Sequence, residues 1–442
     1  MRQSPPLFPF QMASATLEKY LPRSRCESCG IGTVRPVDVM NGHVVFRCSV
    51  PKCYLTVHAE LPPLSKKLIY LDTSIVSKMA KAKARGETDA PDFKLYEALR
   101  RASARNLIVC PGSTIVETEA EFSALSDTII DMSRQLSDPG LHHELQVKET
   151  QLFRALDRWL AKQPPEMEME LALSWRDALQ SDPDVWHGTF NVVMNMRTPE
   201  DFVASARAAK TATLPEIEEM YRAYERDAFT FRQIVEVEER GFPEAVRING
   251  RNMIAARLAN TQGLTDNVHV WWSSTFDKIA MMIRHRTDCS EEDALRRAID
   301  FLVSPHARTT PYSYIAGRLQ AQLAMLCRGE KPRLPDDGDH YDIEHMATFV
   351  PYVDIFIADK FFAGIANQKN LRIGDPWGTE VRSLVPKEIP SFIDWLESLA
   401  DGNEIAQLSE RISESIWQGG FHQDFVERMK ATMPEAFADK SE

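Results

Sequence analysis

Short apolar runs that end in an acidic residue constrain the fold of this chain more than any other feature. The run over residues 68–71 is followed by Asp72, and the predicted strand over 353–358, apolar from residue 355 onwards, is followed by Asp359. A third run, over 107–110, precedes a Pro-Gly turn and a predicted helix start. Runs this short and this continuously apolar are typical of buried parallel strands. The sequence therefore predicts an α/β fold, with a parallel sheet flanked by helices.

The strand-forming parts are separated by a long segment of different character. Residues 123–335 are rich in Glu, Arg, Ala, Leu and Met at helical spacing, with no alternating strand pattern and no internal repeat. We predict that this segment is an all-α insertion between two halves of one α/β domain, at 66–122 and 336–400. The remaining tail, 401–442, has an amphipathic pattern that predicts helix.

Four acidic residues lie where a parallel sheet binds its ligands. Asp72 and Asp359 follow strands, Glu117 lies in the first turn of the helix after the 107–110 run, and Asp342 lies at a predicted helix start. The carboxyl ends of parallel strands share one edge of the sheet, so these side chains are expected to converge. Carboxylates that converge repel one another unless a cation neutralises them, and hard oxygen ligands favour Mg²⁺ or Mn²⁺. Such ions support phosphodiester hydrolysis.

Each of these acids also has an ordinary structural interpretation. Asp72 and Asp342 could be helix N-caps, Glu117 could be a capping acid with Glu119 or Glu121 as the better ligand, and Asp359 could be a turn residue. All four acids fall at matching positions, which favours a shared site.

Two further residues lie close to these acids in sequence. Asp354 could be an additional outer acid, but the start of a strand is the better interpretation. His345 is expected to act as a structural hydrogen-bonding group rather than as a base, as single histidines often do.

The order and spacing of these residues resemble those of a PIN-domain nuclease. Asp72 after the first strand, Glu117 after a strand and a small polar cap, and Asp342 and Asp359 17 residues apart follow the pattern of that family. The resemblance covers roughly residues 66–122 and 336–400. It implies a metal-dependent endoribonuclease in which the four acids are catalytic metal ligands and the products carry 5′-phosphate and 3′-hydroxyl ends. Typical members lack the helical insertion, which leaves the choice of substrate open.

Three other functions remain open from the sequence. The nearest is a structure-selective DNA nuclease with the same chemistry. A non-catalytic PIN-like regulatory or interaction protein would use the helical insertion and the N-terminal region as its working surfaces. A toxin-like effector would share the nuclease chemistry and be held in check by an inhibitory protein partner.

Four of the seven cysteines are clustered near the N-terminus. They have the spacing of a zinc ribbon within residues 1–62: Cys26, Cys29, Cys48 and Cys53. A unit of about 35 residues has too small an apolar core to fold alone, so bound Zn²⁺ would stabilise it. A cluster of reduced thiols, or a site that has lost its metal, is the alternative.

Charge and hydropathy bear on partners and on location. Residues 1–110 carry 17 Lys and Arg against 9 Asp and Glu, although the whole chain has a net charge of −12. The basic residues around the cysteines favour contact with nucleic acid phosphates: Arg23, Arg25, Arg35, Arg47 and Lys52. The alternative is that the cysteine unit is only a structural cap on the α/β domain. No apolar stretch is long enough for a membrane helix, and the N-terminus lacks a signal-peptide pattern. We therefore expect a cytoplasmic protein without membrane contact.

Overall fold

The computed structural model describes most of the chain between residues 24 and 418. Within these limits it does not describe 41, 51, 54, 122, 124, 137–139, 166–173, 187–213, 260–273, 329–331 and 337. In the described part, no helix is long and apolar enough to cross a membrane. The predicted α/β class is confirmed: a parallel sheet with helices, a long all-helical middle region, and a small N-terminal antiparallel sheet that carries the cysteine cluster.

The N-terminal sheet is antiparallel, with its strands paired in chain order. Its strands are β1 (Ser24–Arg25), β2 (Thr33–Met40), β3 (His43–Cys48) and β4 (Thr56–Glu60). Val34, Phe46 and Ala59 are fully buried inside it and share a small core with Ile412 near the C-terminus. We call this sheet and its cysteine loops the ribbon.

The second sheet is parallel throughout and has the order β6-β5-β7-β8. Its strands are β5 (Lys67–Leu71), β6 (Ile108–Val109), β7 (Ile355–Ala358) and β8 (Glu380–Ser383). The strands β5 and β7 are adjacent in register, with Ile69 opposite Ile355, although almost 300 residues separate them. From β5 the chain moves to β6 on one side and later to β7 on the other, so the strand order reverses at β5.

Helices cover both faces of the parallel sheet and form the middle region. In chain order they are α1 (Thr73–Ala84), α2 (Pro91–Ala104), α3 (Thr114–Ala120), α4 (Ser126–Leu136), α5 (Glu144–Leu160), α6 (214–226), α7 (Phe231–Glu238), α8 (Gly241–Ala259), α9 (Thr275–Thr287), α10 (Glu291–Leu302), α11 (Pro305–Arg308), α12 (Pro311–Leu326), α13 (Asp339–Phe349), α14 (Lys360–Ala366), α15 (Ile389–Ser398) and α16 (Glu404–Gln418). Side chains alternate across a strand, so each face of the sheet has its own core. Ile69 and Leu71 pack against α1, α2, α4 and α15, whereas Tyr70 and Phe356 pack against α12 and α13.

Part of the all-helical middle region, α5 and α8 to α11, has a core of its own, and the region also contacts α13. Leu152, Phe276 and Phe301 are fully buried in this core. Lys148 of α5 forms an ion pair with Glu344 of α13 at 2.8 Å, with both side chains largely buried. The insertion therefore supports the helix that carries Asp342 and His345.

Candidate metal centres

Asp72 lies at the point where β5 ends and α1 begins. Its backbone N–H donates to the Ile357 carbonyl at 3.0 Å, which extends the β5–β7 pairing by one residue. Its side chain is the N-cap of α1, which is the structural role that the sequence also allowed: Oδ2 accepts hydrogen bonds from Ser74 Oγ at 2.6 Å and from Ser74 N at 3.3 Å. Only 3% of Asp72 is exposed. Burial is the main reason that its pKa is raised.

Glu119, and not Glu117, is the acidic residue of α3 that lies next to Asp72. Glu119 Oε2 accepts a hydrogen bond from Thr73 Oγ1 at 2.5 Å and lies 3.1 Å from His345 Nε2. Glu117 is 42% exposed and pairs with Arg134 at 3.4 Å. Residues two positions apart on a helix point in nearly opposite directions. The group therefore contains Glu119 in place of the expected Glu117, and Glu119 is one of the two alternatives that the sequence left open.

His345 is buried in α13, with 1% of its surface exposed, and has a partner at each ring nitrogen. Nδ1 is hydrogen-bonded to the Tyr70 hydroxyl, and Nε2 faces Glu119. The Tyr70 hydroxyl also lies 2.9 Å from Ser113 Oγ. Burial raises the pKa of Tyr70 well above its usual range, so its hydroxyl keeps its proton. A continuous polar chain therefore runs from Ser113 through Tyr70 and His345 to Glu119.

Asp72, Glu119 and His345 form a group that could bind a metal ion. Each offers one ligand atom, and these atoms all lie within 4.8 Å of one another. Asp342, one helical turn before His345, has its pKa raised to about 9, mainly by burial and then by the nearby charges of Asp72 and Asp359. This is the repulsion expected of converging acids, and a bound cation would relieve it. Carboxylate oxygens with one imidazole fit a hard or borderline divalent cation.

The two remaining predicted acids, Asp359 and Asp342, lie near this group. Asp359 is the N-cap of α14, where its Oδ1 accepts from Phe362 N at 2.7 Å. Its charge raises the pKa of Asp342, but it does not belong to the group of three. Asp342 was expected at a helix start, yet α13 begins at Asp339, so Asp342 lies within the first turn and is not the cap.

Asp354 lies at the amino-terminal ends of the parallel strands, whereas Asp72 lies at their carboxyl ends. Its carboxylate accepts from Leu68 N at 2.8 Å and from Lys67 Nζ at 3.0 Å. These bonds tie the beginning of β7 to the beginning of β5. The interpretation of Asp354 as the start of a strand therefore agrees with its contacts.

Sequence reasoning did not place His345 and Tyr70 in the buried group, although the spacing of each residue from a predicted acid pointed to it. His345 is three residues after Asp342, a spacing that places both side chains on one side of a helix. Tyr70 is two residues before Asp72, so the two lie on the same face of the strand.

The four cysteines of the ribbon form the second group. Cys26 and Cys29 lie in the loop after β1, Cys48 ends β3, and Cys53 precedes β4. All four sulfurs lie within 4.8 Å of one another, and the Sγ atoms of Cys26 and Cys53, like those of Cys29 and Cys48, are 3.6 Å apart. A disulfide would need about 2.05 Å. Tetrahedral zinc with Zn–S bonds of about 2.3 Å places its sulfurs about 3.8 Å apart, so the cluster fits structural Zn²⁺.

Two backbone N–H groups approach the cysteine sulfurs. Gly32 N and Val50 N lie 3.4 Å from the sulfurs of Cys29 and Cys48. A Cβ atom at Gly32 would lie 2.5 Å from Cys48 Sγ, so no larger residue fits there without a shift. Hydrogen bonds from the backbone of Gly32 and Ile31 lower the pKa of Cys29 to about 6. Burial raises the pKa of Cys48 to about 12.

Comparison with protein-family models, with curated proteins and with solved structures found no match, so no family is identified for this chain. The fold and the two clusters are therefore the basis for assigning a function.

Proposed function

We propose that this protein is a metal-dependent nuclease that hydrolyses phosphodiester bonds, with RNA as its substrate class. The observation that carries the proposal is the buried group of Asp72, Glu119 and His345, with Asp342 beside it. It lies beyond the carboxyl ends of β5 and β7, where the strand order reverses and where parallel sheets bind ligands. The preference for RNA over DNA rests on the resemblance to PIN-domain nucleases.

The side chains of the group are held in place before any substrate arrives. Ser74 fixes one oxygen of Asp72, and Thr73 fixes one oxygen of Glu119. Both donors belong to the first turn of α1, so a single helix start orients both carboxylates, and such preorganisation favours catalysis. A bound Mg²⁺ or Mn²⁺ would supply positive charge for the phosphate and acidify a water molecule. Asp342 and Asp359 would add negative charge beside it.

The ribbon would serve the same function through structural zinc and through its charge. We propose that Cys26, Cys29, Cys48 and Cys53 bind Zn²⁺, which stabilises the loops around them. Exposed cationic side chains on the ribbon would contact the phosphates of the nucleic acid: Arg25, Arg47 and Lys52.

Labelled single-stranded RNA and DNA of the same base sequence test the proposal. We expect the purified protein to cleave RNA with Mn²⁺ or Mg²⁺ and to be inactive in EDTA. Glu119→Gln should lose at least about 100-fold in rate, because it removes a metal ligand worth several kcal/mol in the transition state. Glu117→Gln is the matched control on the same helix and should stay within about 3-fold.

Circular dichroism would establish that both variants are folded. Cleavage that survives EDTA and Glu119→Gln would refute the site. Failure of the metal-loaded protein to cleave either polymer would refute the nuclease function, and faster cleavage of DNA would refute the substrate class.

A further inference from the structure

His345 differs from the other members of the buried group in its chemistry. Its ring is 1% exposed and is held at Nδ1 by the Tyr70 hydroxyl, while Nε2 is directed at the carboxylates. Histidines that ligate metals commonly have this arrangement, with one nitrogen fixed by a hydrogen bond and the other at the metal.

We propose that His345 is itself a ligand of the cation through Nε2, and that the centre therefore selects Mn²⁺ over Mg²⁺. The inference deepens the proposed function and rests on its metal site. An imidazole nitrogen is a good ligand for transition metals, whereas Mg²⁺ prefers oxygen ligands and retains several waters.

A role for His345 as only a positioning group for Glu119 explains the contacts less well. Glu119 Oε2 already accepts a hydrogen bond from Thr73 at 2.5 Å, so its orientation has another source. The 3.1 Å between Nε2 and Oε2 suits a hydrogen bond. It also suits two adjacent ligands of an octahedral ion with bonds of about 2.1 Å, which lie about 3 Å apart. A cation can therefore replace this hydrogen bond with little movement of either side chain.

The polar chain behind His345 can accommodate the change without gain or loss of a proton. Without a cation, Nε2–H donates to Glu119, and Nδ1 accepts from the Tyr70 hydroxyl. With a cation at Nε2, the ring proton resides on Nδ1 and is donated to the Tyr70 oxygen, while the Tyr70 O–H turns towards Ser113 Oγ at 2.9 Å. The His345 imidazole, the Tyr70 phenol and the Ser113 hydroxyl together carry three N–H and O–H protons in both arrangements. Because hydroxyl groups both donate and accept, the hydrogen bonds from Ser113 through Tyr70 to His345 can point in either direction.

Electron paramagnetic resonance of bound Mn²⁺ tests the ligand directly, without substrate. The full-length protein would be stripped with EDTA, titrated with Mn²⁺, and challenged with Mg²⁺ in competition. We expect spin-echo modulation from a directly bound ¹⁴N nucleus, and Mn²⁺ affinity at least about 10-fold above that for Mg²⁺. Protein labelled with ¹⁵N-histidine should show the corresponding ¹⁵N signal. This isotope readout uses the unmodified sequence, so it does not depend on the folding of any variant.

Three substitutions sharpen the result. His345→Gln should lose the nitrogen modulation and most of the preference for Mn²⁺, whereas the control His340→Gln, at an exposed position of the same helix, should keep both. Tyr70→Phe should keep the modulation but bind Mn²⁺ about 10- to 100-fold more weakly, because it removes the group that orients the ring.

The outcomes separate this inference from the proposed function. If the protein cleaves RNA and binds Mn²⁺ without nitrogen coupling, the role of His345 as a ligand is refuted, but the nuclease function is not. Nitrogen coupling in a protein that cleaves no nucleic acid would support the ligand and refute the nuclease. Absence of any Mn²⁺ binding would overturn both.

Discussion

The ribbon cluster and the buried Asp72, Glu119 and His345 group are built from very different lengths of chain. The four cysteines lie within residues 26–53 and are brought together by one small antiparallel sheet. The buried group spans residues 72–345 and comes from the end of β5, from α3 and from α13. One cluster needs only local turns, whereas the other needs the whole helical insertion to return the chain to the sheet.

The two clusters also differ in what holds them together without a metal. Cys26, Cys29, Cys48 and Cys53 have only a small apolar core beneath them. The acids and His345, by contrast, are fixed by hydrogen bonds and by the stacking of Tyr70 on Phe349 and Phe356. We therefore expect metal loss to unfold the ribbon, and to leave the buried site folded but inactive.

Removal of zinc should have the largest effect. The double variant Cys26→Ser, Cys29→Ser should contain no zinc, and residues 33–60 should lose protection from hydrogen exchange, because structural zinc contributes on the order of 10 kcal/mol to a small domain. The Mn²⁺ affinity of the buried site should change by less than about 3-fold. Cys289→Ser, a cysteine outside the cluster, is the control. Unchanged zinc content in the double variant would refute the ribbon site.

Asp342 should make stability depend on pH when no metal is bound. The unfolded carboxyl loses its proton near its ordinary pKa of 3.8, and the folded one at about 9. Between these values the folded state binds more protons, so stability falls as pH rises, by at most about 1.4 kcal/mol per pH unit. Asp342→Asn should flatten this slope in denaturant titrations at pH 5–8 of zinc-loaded protein without added Mg²⁺ or Mn²⁺. A slope equal to that of the wild type would contradict the assignment.

The contact between the ribbon and α16 should be independent of the buried site. Ile412 is 4% exposed and packs in the ribbon core. Ile412→Ala should lower the free energy of unfolding by about 2–4 kcal/mol through lost burial and a residual cavity. The exposed neighbour Glu414→Ala should be neutral. A change in Mn²⁺ affinity in Ile412→Ala would show that the two regions are coupled after all.

Asp354 should give the smallest effect and a purely structural one. Asp354→Ala removes the hydrogen bond to Leu68 N and the exposed ion pair with Lys67. We expect a loss of about 1–2 kcal/mol in denaturant titrations. Mn²⁺ binding should stay unchanged, since these bonds lie at the amino-terminal ends of β5 and β7, away from Asp72. Weakened Mn²⁺ binding would instead indicate that Asp354 belongs to the metal site.

Prediction from sequence succeeded where the signal was local. The apolar runs before Asp72 and Asp359 became β5 and β7, because continuous burial on both faces of a parallel sheet leaves a plain pattern. The cysteines were grouped correctly because their spacing is that of one short unit.

The exact members of the buried group could not be predicted, because they depend on tertiary packing. The capping pattern that marked Glu117 does not say which side of α3 faces the sheet, and the structure turns Glu119 inward. Likewise, nothing near His345 in sequence indicates that Tyr70, 275 positions away, would hold its ring.

The pairing of β5 with β7 has a consequence for synthesis of the chain. At about 5–20 residues per second, β5 leaves the ribosome on the order of 15–60 s before its partner at Ile355–Ala358. During that interval one side of β5 is an open strand edge, and the group at Asp72 lacks His345. The group of three is therefore complete only after α13 is made.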